Sequence, residues 1–507
     1  MLSRLHAQSA KLAAALVRYN GDLTSLRNPA LYALNPASDV TQFSKAKLVN
    51  FGELEDGEIP EALKYSRPCK IQALTNGLRV ATEATHSPLV HVALMVQAGT
   101  RNENMSTSGI GHFLGHLKHQ GTESMSGAQI VGDLADVGGS VWIEPGHDAT
   151  VYHLEVLKEG LPKAFEVLAG MVKSSKFSTS VIETERERAL AELVDMSKPS
   201  YPKTLITENI HYTAFRDHMM GQPLRGNQKS LRLIQQDDLQ KFVETHHVGN
   251  RMVLVGTGSV AHQTLVDLTE QHFGQLPKTA GEVTGEDTPL LTGSQVAIRD
   301  DDVELAHCGI FFLAPSYAHE DYFAFMMLKR LMGDYSPKRD GLINHPRLQY
   351  NWLHTWLGEI EDIIEHQSIF LPYRDVALFG HYVSCMDLGA HLAPMAAMKA
   401  SRRATSYIMD SELYRSRNKL YTDLLGVQSP GCVATEAAKQ ILYANRRIPR
   451  SEIAKRVSLM DNRYLEKIYA KWMWDTELAL AFYGPIFMPG RDYNVYRSYT
   501  NDQILMV

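Results

Sequence analysis

The sequence predicts an α+β fold made of two duplicated α/β domains, each a mixed, largely antiparallel sheet packed with helices. Three observations predict it. At 507 residues the chain is longer than the size at which single hydrophobic cores stop growing, so two domains are the default. Short alternating apolar runs are interleaved with runs at helical spacing throughout both halves. The order of elements also recurs, and a late buried strand at 252–256 is answered by another at 478–483, as internal duplication requires. The expected division is an extension over 1–67, a first domain over 68–275, a linker over 276–294 and a second domain over 295–507.

Composition narrows the function classes. Hydrophobic content of 44% beside 21% charged residues is that of a folded chain. A formal charge of −6 without any Lys/Arg block argues against a nucleic-acid partner. The four cysteines, Cys69, Cys308, Cys385 and Cys432, form no C-x-x-C pair and read as free thiols in a reducing compartment. No run approaches the roughly 18 apolar residues that span a bilayer. Any work at a membrane is therefore peripheral, by docking onto embedded partners.

Residues 1–21 carry Arg4, Lys11 and Arg18 with no acid before Asp22, and Leu2, Leu5, Leu12 and Leu16 make one apolar helical face. That pattern suits a mitochondrial targeting segment. Pro29, Pro36 and Pro60 break any long element in the rest of the extension.

In the first domain a hairpin is expected over 69–84 around Asn76-Gly77, a dipeptide that favours the tight turns joining twisted strands. A third strand alternates through Val90, Val92, Leu94 and Val96, and a helix follows over 111–118. Ser126 caps a helix over 127–137, stopped by Gly138-Gly139 before strands at 140–143 and 149–157. Leu161, Phe165, Leu168 and Val172 recur at helical spacing, and a charged amphipathic helix covers 179–196. Its Glu183 and Glu187 read as a solvated face. Helices at 203–215 and 238–246 precede the closing strand. Beyond the Gly- and Thr-rich 281–293, the second domain opens with a strand at 306–313 and a helix at 322–332. Strands near 369 and at 377–385 and helices at 388–409 and 411–425 follow. Trp352 and Trp356 read as core or interface, and 335–350 as a contact loop.

The chemistry concentrates in Gly111-His112-Phe113-Leu114-Gly115-His116. Histidines four apart on a helix share a face and can grip one metal ion. In the inverted zinc-peptidase motif H-x-x-E-H the residue before the second histidine is a glutamate that activates the metal-bound water. Here it is Gly115. Loss of a positioned general base costs on the order of 10²–10⁴-fold. Lys118 and His119 follow closely, and a lysine at the site would repel a dication. The second domain has no H-x-x-x-H pair, so metal chemistry belongs to the first.

With Gly99-Thr100-Arg101, Gly121-Thr122, Thr150-Val151-Tyr152 and Leu161-Pro162-Lys163-Ala164, the motif resembles the pitrilysin-type (M16-like) family. Leu378-Phe379-Gly380-His381-Tyr382-Val383, Arg446-Arg447-Ile448-Pro449, Phe482-Tyr483-Gly484-Pro485 and Asp492-Tyr493-Asn494 extend the likeness over about residues 68–500. It is closest to the branch of β-type mitochondrial processing peptidases and core 1 proteins of the cytochrome bc1 complex, since the glycine-rich loop of the α-type partner is missing. The resemblance implies metal ligands at His112, His116 and Glu192, with Glu185 supporting, and zinc possible at a vestigial site. It also implies further losses. Trp142, Ile143 and Glu144 stand where processing peptidases present Asn-Ala-Tyr to substrate. Pro202 and Ile206 stand where acidic residues help read an arginine.

Two functions are thereby implied. One is a non-catalytic core subunit of respiratory complex III on the matrix side of the mitochondrial inner membrane. It would pair with an α-type/core 2 subunit and support cytochrome b, cytochrome c1 and the iron–sulfur subunit without binding haem. The alternative is the β subunit of a zinc-dependent mitochondrial processing peptidase that cleaves presequences.

Overall fold

The computed structural model describes residues 59–501 apart from 86, 174–176, 197–200, 280–282, 284, 337–351, 359, 361, 387–388, 427 and 487–492. The targeting-like segment and nearly all of the 335–350 loop lie outside the described residues. Within 59–67, the short helix Glu61–Lys64 buries Leu63, and Ile59 is buried beside it, in the core of the second half.

Each half is built on a six-stranded sheet. The first contains β1 (Cys69–Ala73), β2 (Arg79–Ala84), β3 (Leu89–Val96), β4 (Ser140–Glu144), β5 (Thr150–Leu157) and β6 (Met252–Gly258), in the order β1-β2-β6-β3-β5-β4. The second contains β7 (Ser294–Arg299), β8 (Ala306–Ala314), β9 (Asp334–Tyr335), β10 (Ile363–Pro372), β11 (Ala377–Cys385) and β12 (Ala479–Gly484), in the order β7-β12-β8-β11-β10-β9. All pairings are antiparallel except β2–β6 and β7–β12. Removing β1 and β9 leaves one common topology, β2-β6-β3-β5-β4 against β7-β12-β8-β11-β10, so the duplication read in the sequence is present in space.

Local chemistry accounts for most boundaries. Ser126 accepts from the Gln129 N–H and Gln129 bonds back to the Ser126 N–H, a capping box that starts the helix Gly127–Asp136. The first hairpin turns over three residues, 75–77, with Leu74 N–H bonded to Leu78 C=O and Gly77 at φ +88°. A glycine in the left-handed region suits this three-residue loop as well as the two-residue one, so Asn-Gly marked the hairpin without fixing its turn. The helix expected over 388–409 ends at Ala404. Strand β7 was not expected; it is an edge strand whose exposed face blurs any alternation.

The two halves exchange covers. The inner faces bury separate cores under their own helices. The other face of the first sheet is covered by the helix Pro430–Ala444, whose Ala434, Ala437, Ala438 and Ile441 pack on Ala93, Met95, Val253 and Val255. The corresponding face of the second sheet is covered by Pro202–Ala214, whose Ile206, Ile210 and Ala214 pack on Phe311, Leu378 and Ala481. Small residues on the first of these helices allow close approach to a flat sheet. Neither half can bury both faces alone. A buried polar knot completes the seam. Arg101 binds Asp148 of the first half at 2.6 Å and Asp375 of the second at 2.8 Å, and donates to the Gly285 and Asp287 carbonyls of the connecting segment.

Candidate functional site

The helix Ile110–Lys118 carries the two histidines, and its start is fixed by backbone contact. Gly109, at φ +88°, leaves no room for a side chain: a Cβ there would lie 2.6 Å from the Arg225 carbonyl. Gly226, at φ +70°, presses from the other side under the same constraint: a Cβ there would lie 2.2 Å from the Ser108 carbonyl. The free N–H groups of the first turn find Glu103, which accepts from Gly109 at 2.7 Å and Gly111 at 3.0 Å. Burial pushes the Glu103 carboxyl up to about 8 in spite of those two bonds.

The long helix Thr179–Met196 crosses beside it and supplies Glu192. His112 Nε2 and His116 Nε2 lie 3.2 and 3.1 Å from Glu192 Oε2, and 3.2 Å from each other. All three side chains are half-buried. Ligand atoms 2.0–2.1 Å from a tetrahedral centre sit about 3.3 Å apart. Two imidazoles and a carboxylate at this spacing fit a zinc ion with one open position. The other oxygen of Glu192 accepts from Arg225 Nε at 2.8 Å. The imidazoles and Arg225 together hold the Glu192 carboxyl far below the usual carboxylate range.

Glu185 stands behind the cradle. Its buried carboxylate accepts from Gln120 at 2.8 Å and Arg188 at 2.6 Å, and lies 3.8 Å from His116 Nδ1, outside hydrogen-bond range. Glu183 and Glu187 are exposed, as a solvated face requires. Gly115 faces Ile143 of β4: a Cβ added there would touch only that side chain, at 3.9 Å. Space for a side chain is present at the general-base position. The nearby carboxylates are committed elsewhere, Glu192 to the cradle, Glu185 to its supports and Glu208 to Arg225 at 3.4 Å.

Two expectations change. Lys118 does not face the cradle. It is buried on the opposite side of the helix, where its ammonium donates to the Met171 and Val172 carbonyls and burial lowers it to about 7. Ile206 is buried against the second sheet, where its Cγ2 would meet a Cβ on Gly309 at 2.7 Å. The acid near the cradle is instead Glu208, not singled out from sequence. Trp142 stacks on His153 at 4.9 Å, and Glu144 Oε2 lies 3.3 Å from His153 Nε2. Arg225 and Glu103 also escaped the sequence reading. Only the paired glycines 109 and 226 hint at the loop contact that brings Arg225 in.

Two duplicated sheet-and-helix halves, with a His-His-Glu cluster in the first, define a metallopeptidase-like architecture. Residues 79–228 match the model described as "Insulinase (Peptidase family M16)", and residues 234–405 match "Peptidase M16 inactive domain". The chain belongs to peptidase family M16. It is similar to "Mitochondrial-processing peptidase subunit beta" of Bos taurus, 29% identical over 423 residues, 82% of this chain and 84% of the relative. In fold it resembles a chain of "Complex III2 from Candida albicans, Inz-5 bound", with a TM-score of 0.74 at 18% identity, covering 85% of this chain and 100% of that one. It also resembles a protease from Helicobacter pylori, with a TM-score of 0.72 at 19% identity, covering 83% of this chain and 100% of that one.

Proposed function

We propose that this chain is a non-catalytic core subunit of mitochondrial complex III, of β/core 1 type. It would sit on the matrix side of the inner membrane, paired with an α/core 2-type subunit and supporting cytochrome b, cytochrome c1 and the iron–sulfur subunit. The observation that carries the reading is Gly115, with every neighbouring carboxylate already engaged. His112, His116 and Glu192 would hold a zinc ion, which when bound supplies Lewis acidity at its open position. Without a base at 115, no carboxylate near the cradle among the described residues is free to take the proton from an attacking water. Arg225 strengthens the reading, because its guanidinium neutralises Glu208, which could otherwise attract a basic substrate residue.

The retained donor set, and similarity to a chain named as a processing-peptidase β subunit, favour the second reading, a presequence-cleaving peptidase. One experiment separates the two. The native assembly is purified in mild detergent, its subunits identified by mass spectrometry, and its cleavage of an arginine-bearing presequence measured beside its zinc content. Co-purification with cytochromes b and c1 and no cleavage supports the scaffold. Zinc-dependent cleavage by this chain with one α-type partner overturns it.

A further inference from the structure

The duplication places a counterpart of the metal cleft in the second half. By chain order and sheet position β8 answers β3, Tyr322–Met332 answers Ile110–Lys118, β10 answers β4, and Asp410–Leu425 answers Thr179–Met196. Those last three elements line a cavity of about 420 Å³ in the second half, within the usual range for small-molecule sites. Its contents differ in kind from those of the first cleft. Where the first half sets His116 against Glu192 across its two helices, the second sets Arg330 Nε 2.7 Å from Asp423 Oδ2. No metal-ligating cluster stands there among the described residues.

Two further cations line the cavity, Lys329 from the Tyr322–Met332 helix and Lys439 from the helix that covers the first sheet. Neither ammonium makes a hydrogen bond or an ion pair with any described residue, and both residues are half-buried. The carboxylates nearest Lys329 are committed: Asp423 to Arg330 and Lys419, and Asp334 to the Ser368 N–H. Burial and the adjacent Arg330 both lower Lys329 from its ordinary value, the sign of a cation short of a counter-charge. The opposing wall is aromatic. Tyr317 stacks on Tyr322 with centroids 5.0 Å apart, and Tyr322 lies 5.6 Å from Phe370. Ammonium groups that no carboxylate pairs directly, with Glu144 only within electrostatic reach of Lys439, favour an anionic head on a planar body beside this aromatic wall.

We propose that this cavity, the duplicate of the metal cleft, binds a compact aromatic anion of the phosphate-monoester class, held by Lys329 and Lys439 against the Tyr317–Tyr322–Phe370 wall. The site is independent of whether the first half is catalytic.

The probe is 8-azidoadenosine 5′-monophosphate, photolysed on the native assembly, with labelled peptides mapped by mass spectrometry. Label is expected on peptides of this chain that line the cavity, blocked by AMP and not by adenosine. Lys329→Met and Lys439→Met together should cut labelling by at least about tenfold, as expected for loss of charge-assisted contacts. Should the double variant fail to assemble, Lys439→Met alone carries the same expectation, because its ammonium makes no hydrogen bond or direct ion pair with a described residue. Label confined to other sites, equal protection by adenosine, or labelling unchanged in the variants would each overturn the assignment.

Discussion

Replacing Arg101 by alanine should loosen the seam between the halves. The guanidinium is 1% exposed and binds Asp148 Oδ1 at 2.6 Å, Asp375 at 2.8 and 3.2 Å, and the carbonyls of Gly285 and Asp287 at 2.9 Å each. Asp148 is itself 4% exposed and keeps only the Arg374 N–H at 2.7 Å once Arg101 is gone. Removing one partner of a buried pair costs about 3–5 kcal/mol, because the remaining charge stays buried without compensation. Asp375 is 18% exposed and can be rehydrated, which places the expected loss near the lower end. For domains of this size that lowers the melting temperature by roughly 6–12 °C. Arg101→Lys should recover little, since one ammonium cannot reproduce a fork that serves four partners. Calorimetry gives the shift, and limited proteolysis of the 276–294 connection reports whether the halves have come apart. A drop of less than about 2 °C with unchanged proteolysis would show that the remaining contacts, the apolar cover exchange and the buried Arg447–Glu83 pair among them, suffice to join the halves.

Gly115→Glu should restore cleavage of an arginine-bearing presequence from background by up to about 10²-fold. That is the low end of what a general base contributes, because the neighbouring recognition residues are also altered. The added Cβ fits at 3.9 Å from Ile143, so a zinc-loaded variant that folds normally and shows no gain would mean the missing carboxylate is not what silences the site. Ala437→Asp should destabilise by more than about 3 kcal/mol through an unpaired charge in the sheet–helix contact; urea denaturation showing under 1 kcal/mol would contradict the cover exchange. Stability should also fall on acidification from about pH 6.5 towards pH 4. Burial lowers His211 and His381 to about 4, whereas unfolded histidine titrates near 6.5. The unfolded chain binds the extra protons, so the stabilisation is full above pH 6.5 and is lost as pH drops through the folded value, on the order of 3 kcal/mol per group. Glu103, raised to about 8, titrates in the opposite sense and offsets part of it. Denaturant titrations that are flat or rise towards pH 4 would refute that balance.

What the sequence made legible follows the range of each interaction. His112 and His116 are one helical turn apart, so local geometry alone puts them on one face. Glu192 lies 76 residues beyond His116 (192 − 116), and only the family likeness named it. Arg225 and Glu103 had no comparable signal. Their place depends on two glycine backbones meeting at 109 and 226, a contact that neither periodicity nor residue type announces. The same limit explains why the sequence assigned no place to the Pro430–Ala444 helix. A run of small buried residues says that some flat surface lies against it, and cannot say whose. Strand β7 fails for the opposite reason: at an exposed edge its pattern carries too little burial to register. The knot and the cover exchange consist of contacts between the duplicated halves, whereas the second cleft lies within the second half. Duplication gave each half the same elements; the differences that decide chemistry lie in how those elements were refilled. His116 with Glu192 makes a metal cradle, and the corresponding helices in the second half carry Arg330 with Asp423. A site of the second kind has no motif to find, and only the repeat of the architecture points to it.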